Sequence, residues 1–169
     1  MSPARILICD DEPHVVRLVA AKLRNAGMEC LSAEDGTEAL EIALSHRPDL
    51  IVSDCQMPGL TGLEMAARLR AAEQSNEPAP GYEGGTPVLL LTGRGFAVTP
   101  QDLEGTNVRA VMSKPFSPRE ILATVQRLLN ERTSPMPAAV DEGDAITLVA
   151  PPDRQPAPNI CPEPFRCLP

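Results

Sequence analysis

A chain of 169 residues with 23 acidic and 15 basic side chains has a formal charge of -8, room for one full hydrophobic core plus an appendage, and none of the basic footprint that nucleic-acid binding demands. Direct contact with DNA or RNA is therefore not expected. No stretch approaches the roughly 20 apolar residues that cross a bilayer, and the N-terminus lacks a charged region followed by an apolar one, so a soluble, cytoplasmic chain with no membrane partner is expected. Cys9, Cys30, Cys55, Cys161 and Cys167 form an odd set without CxxC spacing, which reads as reduced thiols used as small hydrophobes.

The first element is ARILIC at 4–9, continuously apolar as in a parallel strand buried on both faces. PHVVRLVAAKLRNAG follows, with Val15, Val16, Leu18, Val19 and Leu23 at helical spacing and Gly27 as the stop. Pro13 stands in its first turn, where no N–H is missed. MECLSA and DGTEALEIALSHR repeat the strand and helix, with Asp35 at the N-cap and Glu38 as its capping-box partner. PDLIVSD and GLEMAARLRAAEQ form the third pair. SNEPAPGYEGG at 75–85, with two prolines and three glycines, reads as an elongated surface loop before the fourth strand, TPVLLLTG. The fourth helix has one good start, Thr99 followed by Pro100, and Gly105 stops it after about one and a half turns. VRAVMS is the fifth strand, and SPREILATVQRLLNER the fifth helix, with Ser117 at N-cap, Pro118 at N1 and Glu120 at N3.

Five strands alternating with five helices predict an α/β fold, a doubly wound parallel sheet with helices on both faces, because parallel strands require crossover connections of one hand. Composition changes near residue 132. The folded domain is expected over 1–132, and 133–169 is expected to be a mobile, proline-rich tail, since it holds nine of the 19 prolines. Within it AITLVA, at 145–150, reads as a chance apolar cluster more readily than as an edge strand or a docking segment. Cys161 and Cys167, with no histidine nearby, do not make a metal site.

In a doubly wound sheet, ligands gather beyond the carboxyl ends of the strands where the strand order reverses. Asp10 and Asp11 end the first strand, Asp54 the third, Thr92 the fourth and Lys114 the fifth. If strands one and three are neighbours, three carboxylates converge, an arrangement unfavourable as bare charge. A hard divalent cation relieves the repulsion, and oxygen ligands with room for water suit Mg2+. Lys114 adds a point charge suited to a phosphoryl oxygen, and the Thr92 hydroxyl one more donor. Such a site moves a phosphoryl group onto a carboxylate. Singly, each residue has an ordinary reading: Asp54 as a helix N-cap, Thr92 as a strand-end hydroxyl, Lys114 as a solvated charge, Met57-Pro58 as a turn. Those readings do not explain why four strand ends of one sheet all carry the required group. Cys9 and Cys55 flank the acids, but with no base beside them to form a thiolate they read as packing residues. His14 and Glu12 read as solvated groups.

Residues 4–132 resemble the CheY-like receiver domain of bacterial response regulators. The resemblance is carried by Asp10-Asp11, by DCQMPGLTG with Asp54, Met57, Pro58 and Gly62, by LLLTG with Thr92, and by SKPF with Lys114 and Pro115. It implies a flavodoxin-like sheet of order 2-1-3-4-5 and a cis Lys114-Pro115 bond. It further implies that Asp54 accepts a phosphoryl group from the phosphohistidine of a sensor histidine kinase or histidine phosphotransfer protein. Asp11, Asp54 and the backbone carbonyl of Gln56 would ligate Mg2+, Asp10 would act mainly through a metal-bound water, Lys114 would pair with the phosphoryl group, and Thr92 would hydrogen-bond to it. The function implied is a stand-alone response regulator in two-component signal transduction, a switch rather than an enzyme, with an unidentified downstream protein. Val111, at a position often aromatic in the family, and the short fourth helix depart from the pattern. Gln56 and Arg94 occupy positions that tune the lifetime of the acyl phosphate. Two alternatives remain: a degenerate receiver serving as a phosphorylation-independent scaffold, and a Mg2+-dependent aspartyl phosphohydrolase, against which stands the lack of a second acid or base near Asp54.

Overall fold

The computed structural model describes residues 2–75, 85–93 and 98–131 together with the backbone of 145–146. Strands β1 (Arg5–Cys9), β2 (Glu29–Ala33), β3 (Leu50–Asp54), β4 (Val88–Thr92) and β5 (Val108–Ser113) alternate with helices α1 (Pro13–Asn25), α2 (Gly36–His46), α3 (Gly62–Ser75), α4 (Pro100–Leu103) and α5 (Pro118–Glu131). The five strands are parallel and ordered β2-β1-β3-β4-β5, which is the flavodoxin-like, doubly wound α/β sheet expected. The order reverses at β1, between β2 and β3, so the ends of β1 and β3 lie side by side: Cys9 is opposite Ser53.

Alternation along the strands sorts the core into two layers. Ile6, Ile8, Val52, Leu89 and Leu91 point to one face and pack with Val15, Val19 and Leu23 of α1 and Ile121, Val125 and Leu128 of α5. Leu7, Cys9 and Ile51 point to the other and meet Ala39 and Ala43 of α2 and Met65, Ala66 and Leu69 of α3. Every residue of β3 and β4 is buried, as expected where helices cover both faces. Leu18 departs from the expected apolar face of α1 and is 50% exposed; Val15, Val19 and Leu23, four residues apart, take the line that faces the sheet and leave Leu18 on the rim.

The helix termini follow the expected caps with one change. Asp35 accepts from the backbone N–H groups of Thr37 and Glu38, at 2.8 and 2.9 Å, but Glu38 reaches back to the N–H of Glu34 rather than of Asp35. Ser117 and Glu120 form the expected reciprocal box. α4 is a single turn that buries no residue, closed by a box between Thr99 and Asp102. Gly27, at φ +84, makes the left-handed turn after α1. The loop expected at 75–85 lies almost wholly outside the described residues, as do Arg94 and most of the 133–169 tail. Against the expectation of a chance cluster at 145–150, Ala145–Ile146 forms a sixth, antiparallel strand, β6, on β5.

Thr86 and Asn107, just before β4 and β5, are tied to α3 through Glu73. The Glu73 carboxylate accepts the Thr86 N–H at 3.0 Å and its hydroxyl, while the Asn107 amide donates to the Thr86 carbonyl. This joins the N-terminal edge of the sheet at the end opposite Asp10 and Asp54.

Leu89 is fully buried on the interior strand β4. Leu89→Ala should lower the unfolding free energy by about 2 to 5 kcal/mol, read as a reduced urea midpoint at unchanged slope.

Candidate functional site

Asp10 directly follows β1 and is 1% exposed, while Asp54 closes β3 and is 5% exposed. Lys114, the residue after β5, extends its ammonium across β4 to lie between them, 2.9 Å from Asp10 Oδ2 and 3.0 Å from Asp54 Oδ1. The second oxygen of each carboxylate is held by local backbone: Asp10 Oδ1 accepts the Glu12 N–H at 2.9 Å, and Asp54 Oδ2 the Gln56 N–H at 3.0 Å. Both carboxylates are therefore oriented at each end, by a turn on one side and a shared lysine on the other.

The other expected residues stand around this pair. Thr92 is buried at the end of β4, one position beyond Leu91, the register partner of Asp54. The Lys114 N–H donates to the Thr92 carbonyl at 2.6 Å, so the ends of β4 and β5 are fastened together where both contribute to the site. Lys114-Pro115 is cis. Asp11 is exposed beside Asp10, and Gln56 is exposed after Asp54. Glu12 is exposed, 3.8 Å from the Lys114 ammonium and 3.4 Å from His14.

Close backbone approach positions Asp54. The Gly62 N–H, at the start of α3, donates to the Cys55 carbonyl at 3.1 Å, and a Cβ on Gly62 would fall 2.2 Å from the Asp54 carbonyl oxygen. Met57 and Leu60, both buried, anchor the intervening loop. The Ser53 hydroxyl donates to the same Asp54 carbonyl at 3.0 Å, a contact that no pattern in the sequence announces.

Burial pushes the Asp54 carboxyl above the usual carboxylate range, against the opposing pull of the Lys114 ammonium and with a further upward push from Asp10. Lys114 loses some basicity to burial, yet its bonds to Asp10 and Asp54 outweigh this and raise it overall. Burial also lifts both neighbouring thiols, Cys55 to about 11 and Cys9 higher still, so both stay protonated near neutrality and fill space, as expected.

Among the described residues no three carboxylate, histidine or cysteine side chains form a ready-made metal cage. The donor chemistry nevertheless fits a hard cation: Asp10 and Asp11 follow β1 and Asp54 closes the neighbouring β3, so oxygen donors stand at the ends of two paired strands.

Residues 6–126 match the family model of the response regulator receiver domain. This chain belongs to that family. It is 36% identical over 132 residues to the phosphate regulon transcriptional regulatory protein PhoB of Pseudomonas aeruginosa, covering 77% of this chain and 53% of the relative. It is 34% identical to the DNA-binding dual master transcriptional regulator RpaA of Synechocystis, covering 84% and 55%. The receiver thus spans about half the length of these curated relatives. Among solved structures it is similar to the chemotaxis response regulator CheY4 of Vibrio cholerae, at 33% identity and a TM-score of 0.63, over 75% of this chain and 98% of that one. It is also similar to TrrA of Thermotoga maritima in complex with Mg2+ and BeF, at 30% identity and a TM-score of 0.61, over 74% and 98%. The protein therefore contains the receiver domain of a two-component response regulator. A relative that binds DNA gives no support to the expectation, drawn from net charge, that nucleic acid is excluded as a partner.

The raised Asp54 carboxyl has a definite consequence for stability. Its proton is held more tightly folded than unfolded, so its ionisation weakens the fold as pH rises through the interval above its unfolded value. In metal-free buffer, Asp54→Asn should therefore gain stability relative to the wild type as pH rises above the ordinary carboxylate range, a difference readable from urea unfolding over that rise. Gly62→Ala should destabilise by about 1 to 3 kcal/mol, because its methyl group meets the Asp54 carbonyl rather than a flexible side-chain end.

Proposed function

We propose that Asp54 is the phosphoacceptor of this receiver and that the domain is a phosphorylation-driven switch. The observation that carries this reading is the buried Asp54 carboxylate sharing the Lys114 ammonium with Asp10 at the reversal point of the sheet. An Asp54 oxygen attacks the phosphorus of a phosphohistidine on a sensor kinase or phosphotransfer protein. The phosphorus–nitrogen bond breaks, the imidazole leaves with the electron pair and takes up a proton, and an acyl phosphate forms on Asp54.

Asp11, Asp54 and the Gln56 backbone carbonyl would hold Mg2+ in this reading, and Asp10 would act on it indirectly. When bound, Mg2+ neutralises charge on the phosphoryl oxygens. Lys114 already lies 3.0 Å from the attacking carboxylate; on transfer its ammonium follows the negative charge from that carboxylate to a phosphoryl oxygen. Thr92, on the adjacent strand end, donates its hydroxyl to the phosphoryl group. The second carboxylate beside Asp54, that of Asp10, is engaged at both oxygens by Lys114 and the Glu12 N–H, which supports a switch rather than a phosphohydrolase.

We further propose that the receiver works in the cytoplasm over residues 1–132 and passes its signal through protein contacts. The relatives favour a second reading, in which the receiver controls a DNA-binding partner module.

Intact-mass measurement after incubation with Mg2+ and acetyl phosphate tests the assignment. One phosphoryl adduct is expected on the wild type and none on Asp54→Asn. Asp11→Ala should lose the Mg2+-dependent adduct, and Lys114→Ala should slow its formation about 100-fold. No adduct on the wild type would favour the scaffold reading, and an adduct surviving Asp54→Asn would place the acceptor elsewhere.

A further inference from the structure

β5 ends the parallel part of the sheet, so one row of its backbone N–H and C=O groups faces away from β4. Such an edge attracts any extended chain unless it is covered. The nearest helix in sequence, α4, has one turn and buries nothing, and Val111 in the middle of β5 is only half-buried. The edge instead meets backbone from beyond α5: Val111 is opposite Ile146 and Met112 opposite Ala145, antiparallel.

We propose that the outer edge of β5 is a strand-acceptor surface and that its resident occupant is the chain's own Ala145–Ile146. The fit is visible in length, composition and reach. AITLVA carries no charge and no proline, and it is bounded by Asp141, Glu142 and Asp144 on one side and by Pro151 and Pro152 on the other. Those boundaries limit a strand to about the length of β5. The 14 residues of α5 carry the chain about 21 Å along the sheet. The 13 residues between Glu131 and Ala145 reach up to about 43 Å, ample to return along that helix and pair within one molecule.

Pairing here occupies the donors and acceptors that an incoming peptide strand would use. A partner that recognises β5 by strand addition must therefore displace Ala145–Ile146. Met112 lies two residues before Lys114, so occupancy of this edge adjoins the site while using none of its side chains. The proposal rests on the sheet alone and stands whether or not Asp54 is the acceptor.

Amide hydrogen exchange resolved by residue along β5, on the full chain, tests it with Ile146→Pro, which removes a donor from the proposed strand, and Ile146→Val as the conservative control. In Ile146→Pro, alternate amides of β5, those turned from β4, should exchange at least about 10-fold faster. The amides bonded to β4, and those of β1 and β3, should keep wild-type rates, and Ile146→Val should match the wild type. Unchanged exchange at every β5 amide in Ile146→Pro would overturn the proposal. So would uniform loss across β5, or wild-type protection that falls on dilution, which would make a second copy the occupant.

Discussion

The ammonium of Lys114 between the carboxylates of Asp10 and Asp54 is the interaction on which the upper edge of this sheet depends. Two nearly fully buried carboxylates within reach of one cation would repel each other without it, and burial would force one to hold a proton. With it, three separate strands are joined electrostatically at their carboxyl ends, β1 through Asp10, β3 through Asp54 and β5 through Lys114. The lysine reaches across the end of β4, and its own N–H is bonded to the Thr92 carbonyl there. One side chain thus ties the reversal point of the sheet to its far strand. Its flexible stem allows the same charge to follow a phosphoryl group, which a planar guanidinium with fixed donor geometry would do less readily.

That electrostatic junction works because the backbone beneath it is rigid. β3 and β4 are buried along their whole length, and the loop after Asp54 is pinned by Met57, Leu60 and the close approach of Gly62 to the Asp54 carbonyl. The opposite end of the sheet is fastened by different chemistry, the bonds that Glu73 and Asn107 make around Thr86. A site that needs charged groups near the solvent boundary stands above a fully apolar middle, and a neutral and ionic polar cluster closes the bottom. The two ends differ in what they leave available: Glu73 spends its acceptors on the fold, whereas Asp11 remains exposed.

Most of the fold was legible in the sequence because the two periodicities differ so sharply. ILIC, LIV and VLLL are continuous apolar runs of the kind a strand covered on both faces uses, and Val15, Val19 and Leu23 mark one helical line. The site residues were legible for a related reason: each immediately follows or closes such a run. What resisted reading depended on partners distant in the chain. Leu18 fits the apolar pattern of α1 but lies outside the line that meets the sheet. Glu38 fits a capping box but finds the Glu34 N–H instead. Glu73, Thr86 and Asn107 carry no local pattern at all.

By itself the sequence determined five strand-helix units, the short α4, and the placement of Asp10, Asp11, Asp54, Thr92 and Lys114 at strand ends, since these follow from local periodicity, caps and breakers. Only the tertiary structure decided which strand ends meet. Strand order sets β1 beside β3, and that neighbourhood, not the spacing along the chain, brings Asp10 and Asp54 to one lysine more than a hundred residues after Asp10. The same holds for the pairing of Ala145–Ile146 with β5. An apolar hexapeptide among prolines has no local signal for its partner, because backbone hydrogen bonds across an edge are open to any strand and are allotted only once the sheet exists.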